Sequence, residues 1–365
     1  MIKALFSNFI NKMKSLSIYK KIILGILLLI YLFMLCISVI KVDYVIVTPG
    51  LVNDTSSIIV KTENERGIIG TVGVYEYIRP SVVQYWAALC QKEMTVSKYN
   101  PSTDLDEDAD YIFGKLQKQI SLNNAVIAAY TEAMKTDSSI VLSKTYKGVI
   151  VSAVLPSAVT DLKPGDVITK VNGNTFANYD GFKSAIQLAK TNDSVSFTVL
   201  RINEKDNKEY ELENVNANFV SGAIGIIAED YWIVDGEKST PQFTINYESI
   251  SSIGSSGGAM TALGIYNSLT SKDITKVVIN NETIALKITG TGTITANGVV
   301  GRIGGVKQKV LTAYKKGLDV FFVDAEDYQD AKEAMEYYDI SDKDLKLIKV
   351  NTLTDIINAL ETWGE

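Results

Sequence analysis

The sequence predicts a mixed α/β (α+β) protein with one apolar helix near its N-terminus and two to three folded units behind it. Three observations carry this reading. One run of 19 mostly apolar residues, Ile22 to Ile40, stands close to the start. The stretch Gly148–Arg201 alternates β-branched residues with Pro-Gly and Asn-Gly turns. Apolar residues at helical spacing follow Gly257-Gly258 and again Gly304-Gly305. A length of 365 residues fits two to three units of ordinary size.

Composition narrows the chemistry. Hydrophobic residues make up 46% and charged residues 21%, as in an ordered chain. A net charge of −6 leaves no electrostatic footprint for nucleic acid. Histidine is absent, and one of the two cysteines, Cys36, lies in the apolar run, which leaves Cys90 alone. No disulfide framework, cysteine metal site or common zinc site is expected, and no cofactor.

The elements follow in order. Residues 1–21 carry Lys3, Lys12, Lys14, Lys20 and Lys21 and no acidic residue. Residues 22–40 are long enough to cross a hydrocarbon core of about 30 Å as a helix. The charge asymmetry puts the N-terminus in the cytoplasm and everything after Lys41 outside it. A cleaved signal peptide is the alternative. Its apolar core is shorter, no small-x-small site precedes Val42, and Leu35 is too bulky for lipoprotein cleavage at Cys36. The expectation is an uncleaved single-pass anchor in the cell membrane. Residues 42–60 alternate around Pro49-Gly50 and predict strands and a turn, 67–78 another strand, and SVVQYWAALCQKEM after Pro80 a helix. Asp104, Asp106, Asp108 and Asp110 are spaced like the start of a calcium loop. Ala109 and Lys115 stand where that loop needs Gly and Glu, so the run reads as the solvated acidic start of a helix near 108–134.

From Lys147 the pattern is strand (GVIVSAV), turn (LKPGDVI), hairpin turn (VNG), a short amphipathic helix over Tyr179–Leu188 and a closing strand over Ser194–Arg201. Lys147-Gly148-Val149, LKPGDVI and VNG together resemble a PDZ domain spanning about 125–215. That resemblance implies an extended peptide added as a strand along Gly148, Val149 and Ile150, with Phe182 and Ile186 lining the groove. Read from spacing alone, Phe182 and Ile186 serve equally well as core.

IGSSGGAM contains G-x-S-x-G centred on Ser256. Without histidine, a hydrolase triad is excluded, and one of Ser252, Ser255 and Ser256 reads alternatively as a helix cap. A neutral lysine in an apolar setting is the other base available to a serine. After Gly305, helical spacing places Val306, Lys309, Val310 and Ala313 on one stripe and turns Lys307 away from it.

The segment TGTITANGVVGRIGGVKQK, Thr291 to Lys309, resembles the stretch around the lysine of Lon-type Ser-Lys proteases. The resemblance makes Lys309 the catalytic lysine, Thr291 its support and Ser256 the nucleophile, with Gly257 beside it at the helix start. The family's Gly-Pro-Ser-Ala-Gly is here Gly254-Ser255-Ser256-Gly257-Gly258, and the spacer before the lysine segment is longer, in TSKDITKVVINNETIALKI. Backbone N–H groups at the start of the following helix, GGAMTALGIYNSL, suit an oxyanion. No Walker motif occurs, so no ATP is expected. Anchor, PDZ insertion and Lon-like end together resemble the SepM-type membrane proteases of Gram-positive bacteria. The implied layout is 1–21 cytoplasmic, 22–40 transmembrane, 42–120 the first part of a Lon-like protease domain, 125–215 the PDZ domain and 216–360 the catalytic part. The implied activity is ATP-independent serine endopeptidase cleavage of extracytoplasmic peptides, secreted signalling peptides among them, with the PDZ domain binding or gating an extended substrate. The competing expectation is a decayed PDZ adaptor at the membrane. A penicillin-binding type of site is excluded, because its S-x-x-K occurs only at Ser17–Lys20 and K-T-G is absent.

Overall fold

The structure, a computed structural model, describes residues 15–55, 67, 69–203, 205–245, 252–279 and 282–363. Lys3, Lys12 and Lys14, and the end of the strand expected over 42–60, lie outside the described residues. The chain divides into two units, Met1–Ile46 with Glu76–Tyr99, and Val47–Tyr75 with Asn100–Glu365.

The first unit is led by α1 (Ile18–Val39), which begins at Ile18 instead of Ile22. Its 22 residues span about 33 Å at 1.5 Å per residue. With a mean hydropathy of 3.0 it is long and apolar enough to cross a membrane. Strands β1 (Tyr44–Asp54) and β2 (Ile69–Ile78) contribute residues to each unit. Helix α2 (Val82–Leu89) begins in a capping box, with the Gln84 N–H donating to Ser81 Oγ and the Ser81 N–H donating to Gln84 Oε1. Strand β3 (Thr95–Lys98) follows. Arg79 pairs with Asp43 at 3.0 Å.

In the second unit, helix α3 (Glu107–Ala133) begins where the acidic run predicts. Asp106 is its N-cap and accepts the Ala109 N–H at 2.9 Å, and Asp104 accepts the Asn100 N–H at 2.8 Å. The acidic run therefore works as turn and cap. Next come β4 (Val141–Val154), β5 (Val159–Thr160), β6 (Val167–Val171), β7 (Asn174–Thr175), α4 (Tyr179–Ala189), β8 (Ser194–Asn203), β9 (Lys208–Asn218) and β10 (Ile226–Thr240). The sheet order is β10-β4-β6-β8-β9-β5, with β7 paired to β6. Asn172 and Gly173 both have positive φ, as a two-residue hairpin turn between β6 and β7 requires. Asp166 of LKPGDVI accepts two hydrogen bonds from Arg201, each 2.6 Å, and one from the Lys163 N–H, which locks that turn to β8.

The rest of this unit is α5 (Gly258–Leu269), β11 (Lys276–Ile279), β12 (Glu282–Ala285), β13 (Ile288–Thr291), β14 (Thr293–Ile294), β15 (Val300–Gly301), α6 (Val306–Lys315), β16 (Val320–Asp324), α7 (Tyr328–Tyr337), β17 (Lys346–Val350) and α8 (Leu353–Glu361). The long spacer forms the antiparallel pair β11–β12. The central sheet runs β17-β16-β13-β2-β1, with β13 parallel to β2 and to β16, and β16 parallel to β17. Strands from before and after the PDZ region thus share one sheet, so the PDZ region is an insertion. Successive side chains of β16 alternate faces. Val320 and Phe322 enter the core built with α3, α5 and α8, while Phe321 and Val323 enter the core built with α6 and α7. All five residues of β16 and all four of β13 are buried, as expected of parallel strands covered on both faces.

Leu263 of α5 is wholly buried in the first of these cores, while Leu188 of α4 is 78% exposed. Leu263→Ala is expected to lower unfolding stability by about 2–5 kcal/mol in urea titration, and Leu188→Ala to shift it by no more than about 0.5 kcal/mol.

Candidate active site

Ser256 precedes α5. The N-cap of that helix is Gly257, and no side chain caps it. The serine-cap alternative therefore does not describe this helix start. Four hydrogen bonds hold the serine segment. The Gly254 N–H donates to Gly114 O of α3 at 2.8 Å, and Ser121 Oγ of α3 donates to Ser255 O at 3.2 Å. The carbonyl of Ser256 itself accepts the Gly292 N–H at 2.8 Å and Thr291 Oγ1 at 3.1 Å. Among the described residues, the N–H groups of Ser256 and Gly257 donate to no acceptor.

Gly257 has a steric reason. A Cβ there would lie 3.0 Å from Thr71 Cγ2 of β2, tighter than ordinary contact. The alanine expected by family pattern would press on this wall.

Lys309 comes from the opposite side of the sheet. Gly305, at φ +70°, makes the left-handed turn that starts α6. The helix then carries Val306, Lys309, Val310 and Ala313 inward, all buried, as the spacing predicts. Lys309 is 2% exposed. Its ammonium donates to Thr291 Oγ1 at 3.2 Å. Burial pushes it down from the ordinary lysine range to about 7, against the opposing field of the Asp327 carboxylate. Lys307 faces away and lies over the Tyr337 ring, 3.4 Å from its centroid.

Thr291 is the last residue of β13, and the Ser256 carbonyl and the Lys309 amine both bond to its hydroxyl. Its proton goes to the Ser256 carbonyl, so toward Lys309 the oxygen can only accept. The structure records no hydrogen bond between Lys309 Nζ and Ser256 Oγ. Catalytic hydrogen bonds often tighten only with substrate bound. Two residues that sequence reading passes over also shape the site. Ser121 anchors the serine segment, and Asp327 accepts Arg302 Nε at 2.9 Å and the Ile303 N–H at 2.8 Å, fixing the approach to α6.

The PDZ residues fall differently. Strand β4 has a neighbour on each side. Val149 and Ile150 pair with Ile168 and Val167 of β6, and Gly148, Val149 and Ile150 also pair with Tyr231, Asp230 and Glu229 of β10. The open edge expected at Gly148–Ile150 is thus corrected, since residues 226–240 already fill it. Phe182 is 4% exposed and belongs to the PDZ core beside Phe176 and Phe197, with Ile186 packed against the same core.

The site thus combines parallel strands covered on both faces with an inserted small sheet and a serine beside a helix start. Residues 254–362 match the family of the Lon protease (S16) C-terminal proteolytic domain, and residues 134–213 match the PDZ domain family. The chain therefore carries a Lon-like serine-protease domain together with a PDZ domain. No curated protein matches it.

Lys309 titrates near 7 when folded and near 10.5 when unfolded. Between those values the unfolded chain holds a proton that the folded chain has shed, so stability rises with pH across this window. Lys309→Met is expected to raise the unfolding midpoint. The gain is fullest below pH 7 and shrinks steadily toward pH 10.5, read by denaturation of both proteins at a series of pH values.

Proposed function

We propose that the protein is an ATP-independent serine endopeptidase in which Ser256 is the nucleophile and Lys309 the general base. The observation that carries this is the shared hydroxyl of Thr291, which ties a fully buried lysine to the serine segment. Neutral Lys309 takes the Ser256 proton as the oxygen attacks a peptide carbonyl, and hands it to the leaving amine. Water then cleaves the acyl-enzyme by the same route in reverse. Thr291 accepts from the amine and cannot donate to it, which leaves the nitrogen lone pair for the serine proton. The unengaged N–H groups of Ser256 and Gly257, at the positive end of α5, suit the oxyanion of the tetrahedral intermediate.

The apolar α1 supports a membrane anchor, and the lysine-rich residues before it support a cytoplasmic N-terminus, with the protease and PDZ parts outside the cell. The substrate is a peptide or protein in extended conformation, with secreted signalling peptides among the candidates. Because β10 holds the β4 edge and leads on toward Ser256, gating is the better reading of the PDZ part. The decayed-adaptor alternative leaves the burial of Lys309 without function. A buried lysine with one hydroxyl partner is costly, and an adaptor has no use for it.

The test is cleavage of an unfolded protein by the full chain in detergent. Ser256→Ala and Lys309→Met are expected to lower kcat/KM by about 10²–10⁴-fold or more. Wild-type kcat/KM is expected to rise through about pH 7, following loss of the Lys309 proton, and to level off above it. Thr291→Val is expected to shift that midpoint, and Thr291→Ser to restore it. A profile flat from acid to alkaline pH, or full activity in Lys309→Met, rules the lysine out.

A further inference from the structure

A second buried lysine is not used by this mechanism. Lys118 of α3 is 9% exposed and makes no hydrogen bond or ion pair among the described residues. Its surroundings hold its ammonium below the ordinary lysine range through desolvation alone, with no carboxylate opposing the shift. An isolated buried cation is expensive unless something compensates it.

Its place on the helix gives the reason. Gly114 and Ser121 of α3 are the two residues that hold the serine segment, through Gly254 and Ser255. Residues three and four apart share a helix face, so Lys118 lies between these anchors on the same face. It lines a cleft of about 610 Å³ together with Lys115, Tyr111, Leu122, Pro164 of the PDZ turn and Ile253 of the serine segment. Among the described residues, the lining holds two lysines and no acidic residue. The Ile253 side chain packs against Gly114, so the cleft adjoins the chain that leads directly to Ser256.

We propose that this cleft is a substrate subsite for a carboxylate, with Lys118 as the ion-pair partner that selects peptides carrying one near the scissile bond. The inference rests on the peptidase reading for its occupant. A peptide carboxylate completes the pairing that Lys118 lacks, and the apolar walls accommodate the residue bearing it. Two sources supply that chemistry, an acidic side chain or the C-terminal α-carboxylate of a short substrate.

The experiment uses the full chain in detergent and a set of short labelled peptides with one Glu moved along the sequence. Each is also made with Gln or with Lys in place of Glu, and each with a free or amidated C-terminus. Cleavage is measured with wild type, and binding by fluorescence anisotropy with Ser256→Ala. The expected result is a preference of roughly tenfold for the carboxylate over its amide, at one position of the peptide or at its C-terminus. The ratio falls to about one in Lys118→Met, and Lys118→Glu reverses it in favour of Lys-bearing peptides. Position dependence identifies a side chain, and sensitivity to amidation identifies the C-terminus. Lys118→Gln replaces the Met variant if thermal unfolding shows the latter misfolded. A wild type indifferent to carboxylate and amide, or a preference that survives removal of the Lys118 charge, overturns the proposal. Carboxylate-dependent binding without cleavage leaves the subsite standing and removes the peptidase reading. Cleavage without carboxylate discrimination does the reverse.

Discussion

The hydroxyl of Thr291 is the point at which the lysine helix and the serine segment of the protease domain are joined. It accepts from Lys309 and donates to the Ser256 carbonyl, so one oxygen sets the position of two chain segments that approach the sheet from different helices. The electrostatics are as constrained as the geometry. Desolvation lowers the lysine, and the Asp327 field raises it. A carboxylate free to pair directly with Lys309 would hold the ammonium charged. Asp327 is instead engaged by Arg302 and by the Ile303 N–H, on the segment that enters α6. The same contacts that fix the start of the lysine helix therefore also divert its nearest counter-charge.

The parallel sheet makes such a junction durable. Thr291 stands at the carboxyl end of β13, where α/β sheets generally expose reactive groups. The backbone of β13 is laddered to β2 as far as Gly290 and to β16 as far as Thr291, which fixes the point from which the hydroxyl projects. The serine segment has less sheet support and relies on α3, through Gly114 and Ser121. α3 also binds β10, since Gln119 Nε2 donates to Tyr231 Oη and Asn123 Nδ2 donates to the Trp232 carbonyl. One helix thus joins the PDZ sheet and the Ser256 segment.

What the sequence revealed divides along the line between local and non-local physics. The inward stripe of Val306, Lys309, Val310 and Ala313 was legible because helical period alone decides which residues share a face. The Asn172-Gly173 hairpin was legible because few residues tolerate two successive positive φ values. The tight space around Gly257 was hidden, because the wall a Cβ would meet there is the side chain of Thr71, far away in the chain. Lys118 was hidden for another reason. Most of α3 from Ile120 to Tyr130 is buried regardless of polarity, including Ser121, Asn123 and Asn124, so no apolar stripe marks its inner face. The paired state of β4 was equally invisible. Alternation identifies a strand and says nothing about whether its second edge has a partner.

That partner changes how the PDZ part relates to catalysis. A peptide adding to β4 at Gly148–Ile150 must take hydrogen-bonding positions now held by Glu229, Asp230 and Tyr231. Glu229 is also bonded by Gln117, and Tyr231 by Gln119, both on α3. Displacing β10 from β4 therefore strains contacts on the helix that anchors Ser255 and Gly254. It also frees the segment whose continuation becomes the serine loop. A single edge of β4 cannot pair with β10 and with a peptide at once. Gln117, Gln119 and Asn123 therefore tie β10 to the same helix whose Gly114 and Ser121 hold Gly254 and Ser255.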